Sequence, residues 1–410
     1  MARRYDALEA RAPAERERDL FARLPAQVAH AKANAAFYRN AFADVDPASI
    51  TSRAALATLP VTRKSELIAL QKATRPFGGL NATPPSGLAR IFVSPGPIYE
   101  PEGRRADFWH AARALVAAGF AAGDVVLNCF SYHLTPAGSM FETGLHHLGC
   151  AVIPGGVGQT EMQARAVADL EPAGYVGTPS FLKLILEKCD ELALPATSIK
   201  RALVSGEAFM PVVRAFLEAR GIAAYQAYGT AELGIVAYES EAREGLVASE
   251  EVLVEIVRPG SGEPLPDGEV GEVVVTTFNA DYPLVRFATG DLSAVLPGAS
   301  PCGRTNLRIR GWMGRADQAT KVRGMFVHPH QVAEVLRRHG LGRGRLVVGN
   351  EAGEDRMTFH VERAGGDRGL ASAIEATLRE LVKVRGDVAF VAPGSLPNDG
   401  KVIEDIREYA

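Results

Sequence analysis

Leu20, Phe21, Leu24, Val28 and Ala31 recur at three- and four-residue steps, so residues 14–45 read as helical. Thr62-Arg-Lys-Ser-Glu-Leu, just after Leu59-Pro60, reads as the start of another helix. Between about residues 90 and 240 the texture changes to short apolar runs alternating with helical stretches. Val125-Val-Leu-Asn-Cys-Phe, Cys150-Ala-Val-Ile-Pro, Gly174-Tyr-Val-Gly-Thr and Arg201-Ala-Leu-Val-Ser-Gly-Glu are the strands of that series. Such alternation predicts βαβ units and a mainly parallel sheet.

After Glu251 the pattern changes again. Val252-Leu-Val-Glu-Ile-Val, the turn Pro266-Asp267-Gly268 and Glu272-Val-Val-Val-Thr-Thr predict a β-hairpin or small β-subdomain. From about residue 315 a short mixed pattern follows: helices near 329–338 and 370–384, and strands at Arg345, Met357 and Asp387. The expected fold is therefore α/β: a large N-terminal domain over 1–314 and a small α+β C-terminal lid domain over 315–410.

Composition narrows this picture only a little. The chain has 410 residues, more than one ordinary core accommodates. A net charge of −3 gives no reason to expect nucleic acid or a membrane surface as partner. Cys129, Cys150, Cys189 and Cys302 lack the paired spacing of a disulfide framework or zinc ribbon. His146-His147 is no metal pair either, because adjacent residues on a helix point different ways. No uncharged apolar run approaches the roughly 18 residues a membrane helix needs. Met1-Ala-Arg-Arg-Tyr-Asp lacks the apolar core of a signal peptide, so a cytoplasmic location is expected.

Four stretches carry candidate chemistry. Tyr225-Gln-Ala-Tyr-Gly-Thr-Ala-Glu-Leu-Gly sets an aromatic ring, a hydroxyl and a carboxylate around a glycine turn. A carboxylate there suits Mg²⁺, which neutralises phosphate oxygens. In Thr289-Gly290-Asp291 the carboxylate stands beside a glycine and suits ribose hydroxyls. Gly314-Arg-Ala-Asp, between the two expected domains, suits a hinge. Gly400-Lys401 places an ammonium on a turn near the end of the lid, where it suits transition-state charge.

In this order and spacing the motifs resemble those of the adenylate-forming acyl-CoA synthetases. Asn34-Ala-Ala-Phe-Tyr-Arg-Asn, Leu59-Pro-Val-Thr-Arg-Lys-Ser-Glu-Leu, Pro76-Phe-Gly-Gly-Leu and Arg323-Gly-Met-Phe-Val-His-Pro resemble the phenylacetate–CoA ligase subfamily. The resemblance implies activation of a carboxylic acid, aromatic or arylacetic, by ATP with Mg²⁺ through an acyl-adenylate, then transfer to CoA after the lid rotates. It also implies a possible homodimer. By position, Ser205, Gly206, Glu207 and Ala208 would line the adenine pocket. Tyr228 and Gly229 would flank the adenine and acyl carbonyl, Thr230 would join the nucleotide site, and Glu232 would hold Mg²⁺. Asp291 would bind the ribose with Arg315 nearby, Asp317 would be the hinge, and Lys401 would bridge to the forming acyl-phosphate. Tyr132, His133 and Phe141, after a strand end, are candidates for the acyl pocket or for packing.

Three departures stand against the pattern. The stretch matching the phosphate loop is Val93-Ser-Pro-Gly-Pro-Ile-Tyr-Glu-Pro-Glu-Gly, where only Ser94 and Gly96 remain in type. Pro95, Pro97 and Pro101 lack N–H donors, and Glu100 and Glu102 would repel phosphate. Arg104 and Arg105 are candidates for restoring the charge. Ala231 stands where the family carries Ser or Thr, and Asn398-Asp399 where relatives often carry arginine or serine. Two readings follow: a ligase with a rebuilt pyrophosphate site, or a repurposed relative that binds an acyl-CoA or nucleotide ligand.

Overall fold

The computed structural model describes residues 3–316, 318, 320–322, 325–351 and 354–407. Its first long helix is Pro13–Asn34, with a proline at its start and Leu20, Leu24, Val28 and Ala31 buried along one face. The helical reading of 14–45 is interrupted at Ala35, whose backbone is extended, and resumes as Ala36–Ala41. The break lets the Phe37 amide donate to Gly79 O at 2.9 Å and buries Tyr38 and Phe42.

The larger sheet is the one the alternating pattern predicted. Ala151–Pro154, Val125–Asn128, Gly174–Gly177, Arg201–Val204 and Ala223–Thr230 lie side by side in that spatial order, all parallel. Gly234–Glu239, Leu246–Ala248 and Arg308–Ile309 extend it with antiparallel pairs. Helices cover both faces, so the strands are continuous apolar runs; Gly174–Gly177 is buried at every position. Thr62–Arg63, Phe287–Ser293, Gly271–Thr277 and Val252–Val257 form a second sheet in that order. Val252–Val257 and Gly271–Thr277 are neighbours in it, as their sequence implied.

The chain falls into two compact units. The first comprises Met1–Val254, Val275–Phe287 and Leu296–Trp312; the second comprises Glu255–Val274, Ala288–Val295 and Met313–Ala410. In the second, a sheet runs in the order Asp387–Val391, Glu354–Glu362, Gly344–Glu351, Ile403–Asp405. Helices Pro329–Arg338 and Arg368–Val382 cover it, and Val332, Leu336, Leu346, Phe359, Ile374 and Leu378 form its core. Asp367 caps the second helix by accepting from Leu370 N at 2.7 Å.

Candidate active site

The C-terminal ends of the parallel strands are where ligands settle in open α/β sheets. In the first unit that edge gathers most of the residues singled out in the sequence. Ser205 follows the strand Arg201–Val204, and its Oγ donates to Ala227 O at 2.8 Å. Gly206 has φ 86° and stands beside Thr178 and Phe130. Glu207 accepts from Ser180 N at 2.7 Å, capping the first turn of helix Pro179–Glu191. Ala208 continues the same loop. Tyr228, Gly229 and Thr230 end the strand Ala223–Thr230, and the pairing register shifts between Tyr228 and Gly229.

Glu232 occupies the turn between Ala223–Thr230 and Gly234–Glu239. Gly234, at φ 75°, makes the turn possible: a Cβ there would lie 2.5 Å from Trp109 O. The Glu232 side chain is wholly buried. Lys64 reaches it, with Nζ 2.9 Å from Oε1 and 3.1 Å from Oε2. Sequence reasoning missed Lys64, whose only signal was its place in Leu59-Pro-Val-Thr-Arg-Lys.

The altered loop is a tight β-hairpin, Arg90–Ser94 with Ile98–Glu102. Its two acids, expected to repel phosphate, are fully or almost fully buried. Glu100 accepts from Ser94 Oγ at 2.5 Å and from Ser94 N at 3.2 Å, so Ser94 is engaged by its own hairpin. Burial first, and then the charge of Glu232, pushes the Glu100 carboxyl up to about 8, against the hydrogen bond from Ser94 and the charge of Lys64. Glu102 binds Trp109 Nε1 at 3.1 Å, Ser139 Oγ at 2.7 Å and Arg90 Nη1 at 2.5 Å. Gly96 sits at the hairpin tip with φ 154°. Arg104 Nε donates to Gly87 O at 3.2 Å, and Arg105 Nη2 donates to Phe108 O at 3.3 Å, so both already hold backbone carbonyls. The buried Tyr282 hydroxyl has no hydrogen-bond partner, and burial together with Glu232 raises its pKa.

Of the acyl-pocket candidates, Tyr132 donates to Glu142 Oε2 at 2.6 Å and accepts from Asn128 Nδ2 at 2.9 Å. His133 is exposed. Phe141 lies in the core, stacked on Phe130 with centroids 4.6 Å apart.

In the second unit Asp291 is buried in the strand Phe287–Ser293. Its Oδ1 accepts from Arg315 Nη1 at 2.8 Å, and the two residues form a backbone bridge. The carboxylate and guanidinium expected to be neighbours are therefore paired, through an Arg315 side chain half exposed to solvent. Asp317 lies outside the described residues. Lys401 follows Gly400 at φ 71°, and its Nζ stands 3.3 Å from Glu404 Oε1.

Similarity to known proteins sets this sheet and its turn among the AMP-binding enzymes of the adenylate-forming class. The family model described as "AMP-binding enzyme" matches residues 106–279. A phenylacetate–coenzyme A ligase of Aromatoleum evansii is 34% identical over 331 residues, covering 77% of this chain and 73% of the relative. Another, from Escherichia coli (strain K12), is 30% identical over 416 residues, covering 94% and 93%. Among solved structures, a 2-hydroxyisobutyryl-CoA ligase in the postadenylation state with 2-HIB-AMP superposes with TM-score 0.73 at 25% identity, covering 97% of this chain and 91% of that one. The same ligase with 2-HIB-AMP and CoA in the thioesterification state gives TM-score 0.71 at 25% identity, covering 98% and 92%. The chain belongs to the phenylacetate–coenzyme A ligase family and is an AMP-forming acid–thiol ligase.

Proposed function

We propose that this ligase activates an aromatic or arylacetic carboxylic acid. The acid's carboxylate oxygen attacks the α-phosphorus of ATP and pyrophosphate leaves. The CoA thiol then attacks the acyl carbonyl, and AMP leaves with the former carboxylate oxygen. A carboxylate is a poor electrophile; the adenylate supplies the leaving group it lacks. The observation that carries the reading is Glu232, a wholly buried carboxylate at the end of the parallel sheet, in a family whose members join acids to CoA.

Mg²⁺ commonly binds through one or two carboxylates with substrate phosphates completing its shell. Glu232 suits that role: its buried Oε1 lies 2.9 Å from Lys64 Nζ and accepts no aligned hydrogen bond from the described residues. Among the described residues no group of three or more potential metal ligands converges, so phosphate oxygens and water would complete the shell. Mg²⁺ there would neutralise phosphate charge. Lys64 balances the carboxylate at 2.9 Å and supplies a positive charge that the proline-bound hairpin lacks. Ser94, already bonded to Glu100, has little left to offer a phosphate.

Ser205 to Ala208 and Tyr228 to Thr230 take the adenine and the acyl carbonyl, Asp291 with Arg315 the ribose, and Lys401 the oxygen between acyl group and phosphate. Asp317 is the hinge in this reading. Tyr132 and His133 face the acyl group; Phe141 backs them from the core. A homodimer and a cytoplasmic setting complete the proposal. Among the described residues no helix is long and apolar enough to cross a membrane.

The test is incubation with ATP, Mg²⁺, CoA and a panel of benzoic, arylacetic and short aliphatic acids, with products read by mass spectrometry. Acyl-CoA and AMP in equal amounts, highest for an aryl or arylacetic acid, is the expected result. Turnover of aliphatic acids alone would overturn the substrate class. Absence of AMP with every acid would overturn the reaction.

A further inference from the structure

The segment carrying Lys401 is fastened by side chains on it and beside it. Asn398 lies across the turn at Pro266-Asp267-Gly268: its Oδ1 accepts from Val270 N at 3.1 Å, and its Nδ2 donates to Gly268 O at 3.3 Å. The amide thus satisfies one donor and one acceptor of that backbone, as a strand neighbour would. Asp399 pairs with the buried guanidinium of Arg345 and accepts from Lys401 N at 3.1 Å. Gln318 completes the set. Its Nε2 donates to Gly400 O at 3.1 Å, and its Oε1 accepts from Val402 N at 2.6 Å and Ile403 N at 2.9 Å. Gly400 packs so closely on Val270 and Leu292 that a Cβ would lie 2.8 Å from Val270 Cγ1.

In this arrangement Lys401 stays close to its own segment. It pairs with Glu404 on its own segment and lines a cleft of about 40 Å³ that also takes in Arg258, Arg343 and Arg345. That volume is of the order of one water and far below that of a nucleotide. Asp291, in the same unit, is not among the residues lining it.

We propose that Asn398 is a positioning residue for Lys401: its side chain latches the lysine segment to the 268–270 backbone and so sets how often the ammonium is available for acyl-adenylate formation. The proposal rests on the two half-reactions proposed above. Its basis is a hydrogen-bond pair made by a side chain that the sequence marks as a departure from the family. Two neutral hydrogen bonds, at ordinary net strength, bias such an equilibrium by about 5- to 150-fold. Removing them shifts the population toward the released segment.

The experiment compares wild type, Asn398→Ala and Asn398→Asp by hydrogen exchange and by separate assays of the half-reactions. Asn398→Asp keeps the acceptor for Val270 N and loses the donor to Gly268 O. Amide exchange at Val270 should quicken at least about fivefold in Asn398→Ala and by less in Asn398→Asp. Acid-dependent ATP–pyrophosphate exchange, relative to thioester formation from synthetic acyl-adenylate, should rise at least about fivefold in Asn398→Ala. Equal loss of both half-reactions, or unchanged Val270 protection, overturns the latch. Failure of wild type to exchange pyrophosphate with any acid overturns the function on which it rests, whatever the amide at Val270 does.

Discussion

The turn that presents Glu232 and the segment that presents Lys401 are held in opposite ways. Glu232 has no exposed side-chain surface and is fixed from below by backbone: Gly234 fits against Trp109 O, and Ile235 N donates to that same carbonyl at 2.9 Å. Lys401 is 46% exposed in its side chain and is held by reversible side-chain bonds from Asn398, Asp399 and Gln318. One charge is built into a core. The other hangs on a fastening that a few hydrogen bonds can open or close. Under the proposed reaction one charge must stay and one must come and go, a division that the two regions suit.

That contrast breaks most sharply at Glu232. Glu232→Gln keeps the shape of the turn but removes the charge, so acyl-CoA formation should fall about 10²- to 10³-fold, a loss typical of electrostatic groups in a site. Steady-state kinetics with the best acid checks this; an effect under tenfold would demote the residue to a structural partner of Lys64. The glycines give the next largest effect. Gly234→Ala drives a Cβ into backbone at positive φ and should destabilise the protein by about 2–4 kcal/mol. Gly400→Ala carries the same positive-φ strain but meets the side chains of Val270 and Leu292, which can yield, and should cost less, about 1–2 kcal/mol. Denaturant melts of both variants measure the difference, and equal costs would erase the distinction between the two regions.

The smallest effect is a pH slope. The Glu100 carboxyl, raised to about 8, keeps its proton in the folded protein over a range where the unfolded chain has lost it. Its contribution to stability is therefore complete below the ordinary carboxylate range and declines as pH rises from about 4.5 to about 8. Glu100→Gln should flatten this part of the stability curve, and the variant should gain on wild type as pH approaches 8. A slope unchanged by the substitution would show that Glu100 is ionised in the folded state.

Much of this was legible in the sequence, for local reasons. The parallel strands announce themselves because strands buried on both faces are continuous apolar runs, and Gly174-Tyr-Val-Gly is one. Asp291 and Lys401 each follow a glycine and Glu232 precedes one by two residues, a setting in which a polar residue is conspicuous. What was hidden depends on distance along the chain. Lys64 meets Glu232 across 168 residues, and nothing near Lys64 hints at that partner. Glu100 and Glu102 read as acids that would repel phosphate; a hairpin that sets them against Ser94, Trp109 and Ser139 buries them. The break at Ala35 was hidden because alanine carries no stop signal, and the reason for it, the Phe37 amide bonding to Gly79, lies elsewhere. Phe141, set down as a pocket residue or packing, is held by its stack on Phe130.

The division between a charge that stays and a charge that moves is tested most directly with Lys401→Ala, assayed separately in each half-reaction. The account predicts that acid-dependent ATP–pyrophosphate exchange falls by about 10²-fold or more while thioester formation from synthetic acyl-adenylate and CoA stays within about threefold of wild type. Exchange that persists in the variant, or a loss shared equally by both steps, would contradict it.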